Sequence, residues 1–153
     1  MDPIASVLDE EDRLWHEFWD LVAAFPDDAA SEPGYFEEGW SAKDALAHVG
    51  TWLAEAGAAL ERIRAGTYRH APTDDEIHQM NRRFLEAMRD LSLAAVQAQS
   101  AAARTRLRHA VLELGEPNDA GASWIRKAGP EHYREHLPRM RAWLDEVRTR
   151  TSA

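Results

Sequence analysis

The chain has 153 residues, 44% hydrophobic and 29% charged, with a net charge of −9 and a pI near 5.2. These values predict one globular domain over residues 1–153 and argue against a nucleic-acid surface, which needs a basic face to neutralise phosphates. No apolar stretch is long enough to span a bilayer and the acidic N-terminus is not a signal peptide, so a cytoplasmic protein is expected. Cysteine is absent, which excludes a disulfide, a thiolate metal ligand and a cysteine nucleophile; any thiol chemistry must use a thiol brought in from outside.

Helix one is expected to start at Asp2 and Pro3, the aspartate as N-cap and the proline at the first helical position. Leu8, Leu14, Trp15, Phe18, Val22 and Phe25 recur at helical spacing, and Pro26 closes the run. Residues 27–39 read as a loop. Helix two opens at Ser41, with Asp44 completing a capping box, and carries an apolar stripe of Ala45, Val49, Trp52, Ala56, Leu60 and Ile63 until Gly66. Thr73 and Glu76 form a second capping box, which starts a helix with Ile77, Met80, Phe84, Leu85 and Met88 on its apolar side. Asp90, Leu91 and Ser92 suggest a break, with Ser92 restarting a helix through Val96, Leu107, Val111 and Leu114; one bent helix or two both fit. Gly115, Pro117, Asn118 and Gly121 read as a loop. A last helix runs from Gly129-Pro130 to about Arg148 on a stripe of His132, His136, Met140, Trp143 and Val147, with Pro138 inside it. Four principal helices, or five, without a convincing strand predict an all-α four-helix bundle.

The chemistry centres on histidine. His132 and His136 are four apart on one helix, so their imidazoles project from nearly the same face, one turn apart. Both lie on the stripe that continues as core, and His48 lies at the edge of the helix-two stripe beside Trp52. His132 also sits in a first turn, where the helix dipole disfavours the imidazolium and keeps a lone pair available. Three neutral imidazoles with open positions left over describe a catalytic metal site better than a structural one. The three meet if helix two and the last helix start at the same end of the bundle and run parallel, as an alternating up-and-down order provides.

The other four histidines, His16, His70, His78 and His109, are weaker candidates. His16-Glu17 fails as a zinc-protease start because position 20 is Asp20. No Glu-x-x-His pair is present for a di-iron bundle, and neither a phosphate loop nor a nucleophile elbow occurs. Trp15, Trp19, Trp52 and Trp143 fall at core spacing, whereas Trp40 and Trp124 lie beside loops and could line a pocket mouth. Arg126, Lys127 and Arg134 cluster at the start of the last helix, where they could meet an anionic substrate or the carboxylates of a thiol cofactor.

Two stretches together resemble the DinB/YfiT-like superfamily of metalloenzymes. They are Trp40-Ser-Ala-Lys-Asp-Ala-Leu-Ala-His48-Val-Gly-Thr-Trp52 and His132-Tyr-Arg-Glu-His136-Leu-Pro-Arg-Met-Arg-Ala-Trp143. Within it the chain most resembles the small ClbS/DfsB-like proteins and the metal-binding domain of mycothiol-dependent maleylpyruvate isomerase. The resemblance implies a four-helix bundle with a divalent metal, zinc or nickel, held by His48, His132 and His136. It implies chemistry on a small molecule with a thiol such as mycothiol or bacillithiol, in S-transfer or isomerisation; from their place in the charge cluster, Arg126 and Arg134 are the expected cofactor contacts. A metal-dependent hydrolase, a metal-free ClbS-like binding protein and a homodimer are the alternatives. Leu53 departs from the glutamate common after Trp52 in relatives, and no counterpart of the isomerase's C-terminal domain is expected.

Overall fold

Side-chain caps start the helices where the sequence places them. A computed structural model describes residues 2–34 and 39–151. Among these residues it contains α1 (Pro3–Ala24), a single turn α2 (Asp27–Ala30), α3 (Ala42–Ala65), α4 (Asp74–Met88), α5 (Leu93–Leu114), α6 (Asp119–Ala128) and α7 (Pro130–Thr151), and no strand. Asp2 accepts from the Ile4 N–H at the start of α1. Ser41 and Asp44 satisfy each other's backbone N–H groups at the start of α3, a complete capping box. Thr73 caps α4, but the Glu76 carboxylate meets the Thr73 hydroxyl at 3.2 Å, so this box forms only one of its two backbone bonds. Ser92 caps α5 through the Ala95 N–H, which divides 73–114 into two helices. Gly66 ends α3 at φ 75°, where a side chain would be strained.

Two expected loops contain helix. Within 27–39, α2 forms one turn, and residues 35–38 of that expected loop lie outside the described residues. The larger departure is α6. Asn118 reads as a turn residue but acts as an N-cap, accepting from the Gly121 N–H at 2.8 Å, with Asp119 in the first turn and Arg126 and Lys127 in the last. The close packing there suits a glycine, since a Cβ at Gly121 would meet Leu114 and Pro117 at 3.2 Å.

The helix directions follow from the side-chain pairs. Gly50 lies against Ser100 and Gly57 against Leu107, while Arg106 meets Glu61 and Arg64 meets Glu113. Residue numbers rise together, so α3 and α5 are parallel, and the small residues seven apart form the seam between them. Arg104 meets Glu11 and Asp12, and Arg108 donates to the Leu8 carbonyl, so α1 and α5 are antiparallel. Arg134 pairs with Glu10, Arg141 with Glu17 and Arg150 with Glu32, so α1 and α7 are parallel. The order is therefore α1 up, α3 down, α5 down and α7 up, with α4 as the return segment that two parallel neighbours need. This corrects the expected alternating order: α3 and α7 run antiparallel.

The core is formed by α1, α3, α5 and α7, with Phe18, Leu46, Leu53, Leu60, Val96, Tyr133 and Met140 among its buried side chains. The predicted stripe of α7 is buried throughout, and Tyr133, Leu137 and Leu144 widen it because α7 packs on both α1 and α3. No residue of α4 is fully buried; its apolar side is half covered by α3.

One buried ion cluster crosses this core. Glu11, 3% exposed, accepts both Arg104 nitrogens at 2.8 and 3.0 Å, Arg108 at 2.5 Å and the Tyr133 hydroxyl at 2.9 Å. Glu11→Gln should destabilise the protein by roughly 3 kcal/mol in urea denaturation, because it leaves buried guanidinium charge without its main partner. Gly50→Ala, which in an open helix would stabilise, should instead cost about 1–3 kcal/mol in the same assay. Its Cβ would lie 2.3 Å from Ser100 Oγ and 3.0 Å from Ser100 Cα.

Candidate metal centre

Antiparallel helices bring the three histidines together because α7 starts part-way along the bundle. A Cβ on Gly129 would lie 3.4 Å from Glu11 Cγ, so α7 begins beside the ninth residue of α1 and leaves the space below it to α6. His132 and His136, in the first two turns of α7, thereby reach the level of His48 in the second turn of α3.

His48 Nε2 lies 3.0 Å from His132 Nε2, and His136 Nε2 lies 3.2 Å from the same atom. One nitrogen from each of the three falls within 4.8 Å of the others. Two imidazole nitrogens on one tetrahedral zinc are about 3.3 Å apart, given Zn–N bonds near ~2.05 Å. The two separations from His132 Nε2 are close to that spacing. Phe18 packs at the edge of His136, ring centres 6.4 Å apart, and Trp40 lies against His48 at 4.9 Å.

All three rings are held neutral. Burial lowers His48 to about 3, helped by the charge His136 would carry. Burial lowers His136 to about 4. His132 is pushed well below 6.5 by burial and then by its two neighbours, with the Ala128 carbonyl opposing weakly. Neutral imidazoles are the form that ligates a metal. The Nδ1 atoms of His48 and His132 are buried and meet no hydrogen-bond partner among the described residues. With their ring protons on Nδ1, the His48 and His132 Nε2 lone pairs face each other 3.0 Å apart, an arrangement that a bound cation would relieve. The donor set fits a divalent ion of zinc or nickel type.

The cluster opens onto a cavity of about 510 Å³. His48 and His132 line it, while His136 sits behind them. Trp52 and Trp124 form much of its wall, ring centres 6.3 Å apart, with Ile77, Ala71 and Pro72 adding apolar surface. Asn81, Tyr68, Ser123, Lys127 and Glu135 supply its polar groups.

Residues 12–151 match the family described as the mycothiol maleylpyruvate isomerase N-terminal domain. The chain belongs to that family. Its helical bundle, with no strand among the described residues, is the DinB-like fold of the family. A crystal structure of an uncharacterised protein from Escherichia coli UTI89 is similar in fold, with a TM-score of 0.79 and 14% identity over 94% of this chain and 93% of that one. No curated protein matches the sequence. Among the described residues no helix is long and apolar enough to cross a membrane.

The other predicted residues divide. His16, His70, His78 and His109 are exposed and apart from the cluster. Trp124 lines the cavity, and Trp40 contacts His48. Arg126 and Arg134 are not among the lining residues: Arg126 pairs with Glu131 at 2.7 Å and Arg134 with Glu10. Helical phase explains this. Arg134 stands about 200° from His132, and Arg126 is turned by about 100° from Lys127, which does line the cavity. Tyr68, Ser123 and Glu135 were not legible as site residues, because two of them depend on where α6 and the chain entering α4 are packed.

Histidines that stay neutral in the fold but bind protons when unfolded couple stability to pH. Above about 6.5 neither state is protonated and their contribution is complete; as pH falls from 6.5 toward 4 only the unfolded chain takes up protons, so stability declines. The metal-free protein should lose up to about 1.4 kcal/mol per pH unit for each such histidine in that window, read by urea denaturation. His48→Gln should make the decline shallower.

Proposed function

We infer that this protein is a divalent-metal-dependent enzyme acting on a small molecule, with His48, His132 and His136 as ligands and thiol S-transfer or isomerisation as its chemistry. The observation that carries the reading is the convergence of three neutral imidazole nitrogens at the wall of a 510 Å³ cavity. His136 anchors the set from inside the bundle, and His48 and His132 present its open side to the cavity.

A divalent ion held by His48, His132 and His136 would supply Lewis acidity that lowers the pKa of a bound thiol or water. The chain does the rest by placement. Burial keeps the ligands deprotonated at neutral pH, so binding does not have to displace protons from them. The Trp52 and Trp124 wall excludes water and holds the apolar part of an electrophile. A cysteine-free chain needs its sulfur nucleophile delivered, which accords with a family named for mycothiol. Mycothiol or bacillithiol as the thiol, and the cytoplasm, where such thiols are kept reduced, belong to the same proposal.

The large apolar cavity by itself also supports a metal-free binding protein, and metal content separates the two readings. Untagged protein should carry near-stoichiometric zinc or nickel by inductively coupled plasma mass spectrometry. His48→Ala and His136→Ala should each reduce it at least tenfold while the helical circular dichroism persists. Wild-type protein that takes up no metal on reconstitution would leave the binding reading in its place.

A further inference from the structure

Two polar groups of the cavity are oriented by tryptophans, and the orientation is one-sided. An indole N–H can only donate. Trp52 Nε1 donates to Asn81 Oδ1 at 2.7 Å, which settles the amide: its oxygen is engaged and its NH₂ is left over. Trp124 Nε1 donates to the Tyr68 hydroxyl oxygen at 2.9 Å, which leaves the phenolic proton to be given elsewhere. Both side chains line the cavity. Among the described residues neither the Asn81 NH₂ nor the Tyr68 proton has an acceptor. Trp52 also meets Phe84 edge-on and lies against Trp124, so the rings that set these orientations are themselves packed. Two donors, one on α4 and one on the chain entering it, therefore share a cavity with the apolar surface of Ile77, Ala71 and Pro72.

We propose that Asn81 and Tyr68 are specificity-determining residues that select a ligand carrying a carbonyl oxygen beside an apolar body. A hydrocarbon of the same shape leaves both donors dry and unpaired, and a site built to donate discriminates strongly against such a ligand. A ligand whose polar group only donates faces the same penalty. Lys127 and Glu135 differ, because they are exposed side chains with no orienting partner among the described residues. The inference rests on the reading of this cavity as the substrate chamber, but it assigns the selection to the protein's own donors and not to a bound ion.

The test uses an isosteric pair, cyclohexyl methyl ketone and isopropenylcyclohexane, titrated into ¹⁵N-labelled protein both metal-loaded and metal-stripped. The ketone should bind about tenfold or more tightly than the alkene in both forms. It should shift the Asn81 side-chain NH₂ resonances, which the alkene leaves in place. Asn81→Asp keeps an acceptor for Trp52 Nε1 but removes the donor. It should weaken the ketone by about three- to tenfold, leave the alkene unchanged and preserve the Trp52 indole resonance. Tyr68→Phe should act in the same direction. A ketone preference that disappears on metal removal, with Asn81 unmoved, would overturn the proposal while leaving the metal site standing. A preference that persists in protein unable to bind metal would uphold it and overturn the metal reading alone. Equal binding of the two compounds in both forms would overturn it outright.

Discussion

The position of Glu11 governs the geometry of this protein. One buried carboxylate ties α1 to two arginines of α5 and to the phenol of Tyr133 on α7. Tyr133 stays a neutral donor, since burial and then the adjacent Glu11 charge push its pKa well above 10. Tyr133 is the residue between His132 and Arg134, so the bond to Glu11 sets the axial position of the first turn of α7. A start one turn lower would move the histidine pair by about 5.4 Å and remove it from His48. The cluster pins three helices at the level where the imidazoles meet.

Burial acts twice at that level. It removes the hydration that an imidazolium needs, so the rings are neutral, and it leaves the His48 and His132 Nδ1 atoms without hydrogen-bond partners among the described residues. A buried cluster of three neutral rings, two of whose nitrogens meet no partner among the described residues, is a poor way to gain stability, since apolar side chains of similar size would pack without polar atoms to satisfy. Such a cost placed at a cavity wall is the pattern of a site maintained for binding. The placement of α4 follows the same division: with none of its residues fully buried, it contributes little to the core and much to the chamber, through Ile77 and Asn81.

Much of this was legible in the sequence, because the signals were local. The caps at Asp2, Ser41 and Ser92 and the stop at Gly66 depend on the chemistry of a few neighbouring residues, and each stands where it was read. His132 and His136 share a helix face by periodicity, and both are buried. Asn118 shows where local signals mislead. Gly115, Pro117, Asn118 and Gly121 suit a loop, but the same asparagine side chain serves as a helix cap when the next residues pack, here against α3 and α7. Arg126 and Arg134 were read as near the site by sequence distance, and helix rotation turned both toward acids on other faces.

By itself, the sequence determined the helical class, the main helix starts and the three imidazoles as a candidate set, since periodicity and capping are properties of residues within a few positions of one another. It did not determine the direction of one helix relative to another. The parallel seam of α3 and α5 exists because Gly50 and Gly57 meet Ser100 and Leu107, and the antiparallel meeting of α3 and α7 exists because α7 begins beside Glu11. Those are contacts between residues far apart in the chain, and only close packing of whole helices selects among the orders that the same stripes allow. The cavity and its oriented donors are consequences of that packing, and so belong to the tertiary structure alone.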